Sequence, residues 1–382
     1  TLRDGEQAAR IVYTPPEKIV IAQELDKLGV HSIEPGLPTT PEDLDVMKEL
    51  VRMKLRSKIV PLSRIKEEDV RGCLEVKPHG LVLEMGINPF LLRDVFMKSP
   101  EELIEEIAEY SHECKRNGLY VEFMGWDVFR IPDMGYLERF FRTLVEKSAL
   151  DRVTIADTFG MGHPLATFML IGKVKQWTGL PVGLHIHNDY GLATADSVMA
   201  VSAGADMIHS SVNGVGERAG NVATEEIAMA LQHLMSIDCG IDLSQIATVS
   251  TVVEHLSRFP LARNKPIVGS GLFEVESGIV VALIEGLKKT PFGGDAFFPF
   301  KPTTVGRGPH TVIAGRGVGR KSVQLFLAER GIETDDETAA RIVERIKDLA
   351  LVFKDAVPDS MLEQIIIECV PPEHRSGAQR RA

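Results

Sequence analysis

Cysteine is scarce in this chain and never closely paired. Cys73, Cys114, Cys239 and Cys369 are scattered over 382 residues. That excludes a disulfide framework and a Cys-x-x-Cys motif, and points to reduced thiols in a cytoplasmic protein. Long apolar runs are missing too: none reaches the ~20 residues of a membrane span, so no membrane partner is expected. Positive charge is in deficit, with 43 Lys and Arg against 54 Asp and Glu, a formal net charge of -11. Nucleic-acid binders carry a basic face, so nucleic acid is not the expected partner; a local basic pocket for an anionic substrate stays open. No Gly-x-Gly-x-x-Gly opens a first helix, which removes the nucleotide site of a doubly wound sheet. Nor is there an initial Met. The chain opens inside what reads as a motif, so upstream residues are expected and a leader stays open.

What is present collects around Gly183-Leu184-His185-Ile186-His187-Asn188-Asp189. Leu180-Pro181-Val182 reads as the start of a buried strand. Residues two apart on a strand share a side, so His185 and His187 present two imidazoles to one point. That begins a divalent-metal site but does not complete one. The alternative is a pair of core histidines, and the rest of the chain must supply the missing ligands.

The flanking pattern alternates strand and helix. Strands are expected at His31–Pro35, Lys58–Leu62, Gly80–Met85, Leu119–Phe123, Arg152–Ala156, the His-x-His segment and Asp206–Ser210. Helices are expected after each, the clearest from Pro100 to Arg116 with Leu103, Ile107, Tyr110 and Cys114 on one side. Thr1–Gln7 reads as a polar loop where the end of a first strand belongs. Eight such units make a parallel (β/α)8 TIM barrel of roughly 250 residues. The expected plan is a barrel over 1–238, its first strand truncated, small mostly helical subdomains over 239–370, and a disordered tail over 371–382.

A barrel of this kind keeps its reactive groups at the carboxyl ends of its strands. Arg3 and Asp4 follow strand one, Glu34 ends strand two, Thr158 follows strand six and Asn221 sits after strand eight. Asp4 is the best remaining charged ligand, and Asn221 offers an amide oxygen unless it only caps the next helix. Such mixed donors suit Mg, Mn, Zn or Co. Asp189 is expected to orient one imidazole. Arg3 would stabilise negative charge on a carbonyl. Glu34 is either a base or Arg3's structural partner. Thr158 either donates to a substrate carboxylate or caps a helix. Gly315-Arg316-Gly317-Val318-Gly319 has the look of a phosphate cradle but reads better as a turn before the helix from Arg320. His112 reads as a surface residue.

Together, Thr1–Gln7, Glu34, His185–Asp189 and Gly214-Val215-Gly216-Glu217-Arg218-Ala219-Gly220-Asn221 resemble the DRE-TIM metallolyase superfamily, within it the isopropylmalate, homocitrate and citramalate synthases. The resemblance covers about residues 1–235. It implies Asp4, His185 and His187 on a divalent metal with Asn221 beside them, Arg3 on the substrate carbonyl, Glu34 supporting Arg3, and Thr158 on the 2-oxo acid carboxylate. The implied reaction is a Claisen-type condensation of acetyl-CoA, as co-substrate, with a 2-oxo acid, in a homodimer paired through the helical subdomains.

The carboxyl-terminal part departs from that pattern. Val275 and Val280 stand where the family usually has His, and a Tyr is replaced near Phe297. Arg316–Gly319 replaces Lys-His-Ser-Gly, and Ile87-Asn88-Pro89-Phe90 replaces Ser-Asp-x-His. Those polar groups serve proton transfer and substrate selection in the synthases. Two alternatives therefore stay open: a metal-dependent aldolase or lyase cleaving a C–C bond, and a catalytically degenerate binding subunit. Hydroxymethylglutaryl-CoA lyase is disfavoured because Gly214–Asn221 holds no cysteine.

Overall fold

The computed structural model describes residues 1–371, so the tail expected at 371–382 lies outside them but for Pro371. The chain divides into two compact units, Thr1–Leu261 and Ala262 onward. The division falls later than the expected 238 because the helix Ile246–Ser257 packs with the first unit, against the helix Pro15–Leu28. Asn213 and Ser250 tie it down: the Asn213 amide donates to the Ser250 carbonyl at 2.9 Å, and the Ser250 hydroxyl donates back at 2.6 Å.

The first unit is built on parallel strands in chain order: β1 Ser32–Ile33, β2 Lys58–Ile59, β3 Leu62–Arg64, β4 Gly80–Gly86, β5 Tyr120–Trp126, β6 Arg152–Asp157, β7 Val182–Ile186 and β8 Met207–His209. β1 pairs with β2, and β3 to β8 pair successively, all parallel. The segment expected as one strand, Lys58–Leu62, is broken into β2 and β3 at Val60-Pro61, since proline has no N–H for the ladder. The pairing is carried across: Val60 N–H donates to Ile33, Leu62 N–H to Gly36, and Val82 N–H to the Pro61 carbonyl. β2 and β3 thus serve as one barrel position, and the architecture is that of a parallel α/β barrel.

Strand alternation sorts side chains to two sides. On β4, Leu81 and Leu83 face outward and join the helices in the main core; Val82 turns inward with Val60, Leu62, Met124 and Ala156. The helix Pro100–Arg116 starts where Ser99 and Glu102 form a reciprocal capping box with Pro at the first position, a local start signal independent of packing. It buries Leu103, Ile104, Ile107, Ala108 and Cys114 against that sheet face.

Three local expectations need correction. Arg3–Gln7, read as a loop, forms one helical turn with Arg3, Asp4 and Gly5 buried. The helix expected from Val222 to Met235 runs as α-helix only over Thr224–Met229 and then widens into a π turn at Ala230–Leu234. Ala262 onward is mostly helical as expected, with the unforeseen addition of a two-residue parallel pair, Glu274–Val275 with Thr311–Val312. Among the described residues no helix is long and apolar enough to cross a membrane. All four cysteines are free.

Candidate metal centre

β7 carries His185 inward, and the chain leaves the strand through His187, which forms an isolated antiparallel bridge with Asn221. The turn Arg3–Gln7 brings Asp4 over the same point. Asp4 Oδ2 lies 3.1 Å from His185 Nε2 and 4.0 Å from His187 Nε2, and the two Nε2 atoms are 3.4 Å apart. All three side chains are buried. One donor atom from each lies within 4.8 Å of the others, the arrangement that could hold a metal ion.

Asn221 joins them through a close backbone approach at Gly216. A Cβ there would stand 2.2 Å from Asn221 Nδ2 and 3.2 Å from Asp4 Oδ1, so only glycine lets the loop pass between these two groups. Asp4 Oδ1 and Asn221 Oδ1 are buried without a hydrogen-bond partner among the described residues. An orphaned buried oxygen is costly, and two beside a pair of imidazoles suit a divalent cation that accepts mixed oxygen and nitrogen donors. The residues fit the group.

The protonation states agree. Burial pushes the His185 imidazole down to about 4 against the pull of Asp4, and burial lowers His187 too. Neutral imidazoles are the ligating form. Burial alone would raise the Asp4 carboxyl, but Arg3, His185 and His187 hold it well below the usual carboxylate range.

Loop geometry after β8 holds Asn221 in place. Gly220 has φ +80°, and a Cβ on it would meet the Gly214 carbonyl oxygen at 1.8 Å. That carbonyl accepts the Asn221 N–H at 3.0 Å, while the Gly220 carbonyl accepts from Asn188. Gly220→Ala is therefore expected to destabilise the protein by at least about 2 kcal/mol and to weaken Mn²⁺ binding. Urea unfolding and metal titration measure both, and an unchanged midpoint would count against this account of the loop.

Arg3 lies beside the cluster. Its Nε donates to Glu34 Oε2 at 2.8 Å, and Nη1 donates to Asp4 Oδ2 and Gln7 Oε1 at 3.1 Å each. Of the two expectations for Glu34, the geometry realises the ion pair. Burial would raise this carboxyl, but Arg3 and His209 hold it far below its ordinary range, a poor state for a base. Thr158 stands just past β6. Its hydroxyl accepts the Asp127 N–H at 3.0 Å and its carbonyl accepts from Arg218, so its bonds lead away from the histidines. It does not cap the next helix; His163 does. Asp189 does not orient an imidazole. Both its oxygens take the Arg218 guanidinium at 2.9 Å.

Around the rim, the Arg130 guanidinium sits 3.7 Å from the centre of the Phe159 ring, with Arg218 5.7 Å from the same ring. Asp127 pairs with Arg130 and accepts the Asn88 amide at 2.9 Å. His112 is exposed, its Nε2 3.1 Å from the Lys147 carbonyl.

Three inward-facing groups escaped the sequence reading: Glu84, Glu122 and His209. His209 is the register partner of His185. Its signal was strand parity on β8, visible once the strand's limits are known. Glu122 and Glu34 hold the His209 imidazole up at about 9 against burial. Burial pushes the Glu84 carboxyl up to about 7, Glu34 and Asp4 adding to the rise and Arg3 opposing it. A carboxyl raised in the folded state favours folding while protonated. Glu84 therefore contributes stability that is lost, by on the order of 2 kcal/mol, from about pH 4.5 to 7, while the lowered His185 imidazole contributes a gain over the same window. The difference between wild type and Glu84→Gln in urea unfolding at stepped pH should fall by that amount.

In the second unit, the residues standing in place of family polar groups serve packing. Val275 is buried with Val281 and Ile284, Val280 lies against them, and Phe297 meets Phe298 edge-on at 5.2 Å. Gly317 N–H donates to Glu276, so the glycine-rich turn is pinned by a carboxylate. That leaves no cradle for an anion there and agrees with the turn reading.

Comparison with known proteins places this geometry. The HMGL-like family profile matches residues 1–253. The homocitrate synthase AksA of Methanopyrus kandleri is 37% identical over 96% of this chain and 90% of its own length. The (R)-citramalate synthase CimA of Methanocaldococcus jannaschii is 35% identical over 93% of this chain and 72% of its own. The 2-isopropylmalate synthase 2 of Caldanaerobacter subterraneus is 32% identical over 96% and 95%. Among solved structures, the hydroxymethylglutaryl-CoA lyase of Pseudomonas aeruginosa superposes with a TM-score of 0.62, covering 71% of this chain and 94% of that one at 20% identity, a likeness of fold. The chain belongs to the HMGL-like family and, within the DRE-TIM metallolyases, to the group of the homocitrate, citramalate and isopropylmalate synthases.

Proposed function

We propose that this protein is a divalent-metal-dependent acyltransferase that condenses an acyl-CoA, acetyl-CoA foremost, with a 2-oxo acid. The observation that carries the reading is the convergence of Asp4, His185 and His187 with the orphaned Asn221 oxygen beside Arg3. These four residues would hold the metal, and a cation bound there supplies Lewis acidity toward the carboxylate and keto oxygen of a 2-oxo acid.

The chain's own groups do the rest. Arg3, fixed through Nε and Nη1, aims its remaining N–H edge at the keto oxygen and stabilises the negative charge that develops on it. Glu34 holds Arg3 in place through Nε. The Thr158 hydroxyl, which accepts the Asp127 N–H and so still has its own hydrogen to give, is the proposed donor to the substrate carboxylate. A methyl proton passes from acetyl-CoA to solvent, the resulting carbanion forms the new C–C bond at the keto carbon as the C–O π bond breaks, and the keto oxygen takes up a proton to become the hydroxyl. Water then adds at the thioester carbonyl and the C–S bond breaks, leaving a carboxylic acid and CoA as the free thiol. On the second unit, Ile279 and Leu283 expose 83% and 51% of their surface; this face is the proposed contact in a homodimer, which sedimentation tests.

The deciding assay is thiol release from acetyl-CoA with pyruvate, 2-oxoisovalerate or 2-oxoglutarate, with and without Mn²⁺ or Mg²⁺. Metal-dependent release with one of them supports the proposal. Cleavage of a 4-hydroxy-2-oxo acid without thiol release would replace it with an aldolase. Metal binding without any turnover would replace it with a binding subunit.

A further inference from the structure

Behind the metal ligands the barrel buries a row of charge whose members Arg152, Glu122 and His209 the reaction above leaves unused. Arg152 Nη1 lies 3.0 Å from Glu122 Oε2, and Glu122 Oε1 lies 3.0 Å from His209 Nε2. The other ring nitrogen, Nδ1, is 3.1 Å from Glu34 Oε1, off the line of a good hydrogen bond but at ion-pair distance. Glu34 Oε2 then takes Arg3 Nε at 2.8 Å, and Arg3 reaches Asp4 at 3.1 Å. The sequence of groups is guanidinium, carboxylate, imidazole, carboxylate, guanidinium, carboxylate.

We infer that His209 is a positioning residue for Arg3: it holds one oxygen of Glu34 so that the other fixes the guanidinium, and Glu122 holds His209 from behind. Among the described residues Glu34 is the group that takes Arg3 Nε. The terminal carboxylate torsion of Glu has a broad, shallow preference of its own, so its partners set it, and a second charged partner on the other oxygen narrows it further than Arg3 alone. The orientation of the Arg3 edge left for substrate therefore depends on an imidazole that never touches substrate. Stability alone is a poor reason for such a row, since buried ion pairs often contribute less than apolar residues of the same volume. Its level in the barrel also points to the site: His209 pairs in register with His185, their ring centres 5.8 Å apart. Thr154, which donates to Glu122, anchors the far end.

The inference rests on the reading that Arg3 acts on the substrate carbonyl, and part of its test is independent of turnover. Crystal structures of His209→Ala and His209→Gln are expected to show the Arg3–Glu34 ion pair broken or rotated while Asp4, His185 and His187 stay in place. Mn²⁺ affinity by calorimetry should change less than about tenfold, below the usual range for a group contacting a ligand. In the thiol-release assay, kcat should fall about 100-fold, the cost of a misplaced reacting group, and added imidazole should restore part of the His209→Ala loss. Combining His209→Gln with Glu34→Gln should cost no more than Glu34→Gln alone, because both act through one ion pair. An unmoved Arg3–Glu34 pair in the His209→Ala crystals, or losses that multiply in the double variant, would overturn the inference. If His209→Ala does not fold, His209→Gln with Glu122→Gln removes the stranded carboxylate and is read the same way. A wild type without thiol release would sink the proposed reaction, while the crystals would still decide this point.

Discussion

Replacing Asp4 or His185 with alanine is expected to leave a folded protein that no longer binds Mn²⁺ tightly and shows no metal-dependent turnover. Asp4 is the only anionic group in the proposed donor set, and its carboxylate sits 3.1 Å from the His185 nitrogen aimed at the same point. Partners one step removed from a metal commonly cost 10–100-fold in affinity; loss of a direct donor should exceed about 100-fold. The fold should survive because neither side chain belongs to an apolar cluster, and Arg3 keeps Glu34 when Asp4 is gone. Two measurements check it. Calorimetry gives the affinity, and the rise in thermal midpoint on adding Mn²⁺, which follows from binding to the native state alone, should vanish. A variant that keeps that rise would put the altered residue outside the site.

Arg3→Lys should lower turnover on the order of 10²–10³-fold while Mn²⁺ affinity stays within about tenfold of wild type. The guanidinium bonds three partners at once, Glu34, Asp4 and Gln7, and still has an edge to offer. A lysine ammonium is a point charge on a flexible stem. It can neutralise Glu34 or Asp4, but it cannot span both and also face a carbonyl. Charge is conserved, so the metal ligands should feel little change. Equal losses in turnover and in metal affinity would mean that Arg3 serves the cation and not the substrate.

Much of this site was legible in the sequence because its signals are local. His185 and His187 share a side by strand spacing, and Asp4 stands in a charged opening segment with no other evident task. What stayed hidden needed tertiary context. His209 and Glu122 take their meaning from parity on strands whose limits a sequence does not mark sharply. A run such as Lys58–Leu62 looks continuous until proline's missing N–H has to be met by a neighbouring strand. The amphipathic helix Ile246–Ser257 was visible, but an apolar face does not say which surface it covers, so the boundary drawn at 238 moved to 261. Arg3–Gln7 is too short to show a period. Asp189 looked free to orient an imidazole only because Arg218, 29 residues on, was not yet beside it.

The ring of Phe159, approached by both Arg130 and Arg218, binds four rim loops into one piece. Each guanidinium answers to its own acid, Asp127 or Asp189, so the stack ties the connections after β5, β6 and β7 to the glycine-rich one after β8. Loops on such barrels ordinarily diversify one at a time. Here, grafting a foreign segment at any one of them would strand a cation or uncover the aromatic face, so a change of substrate through this rim has to arrive as a coordinated set of substitutions.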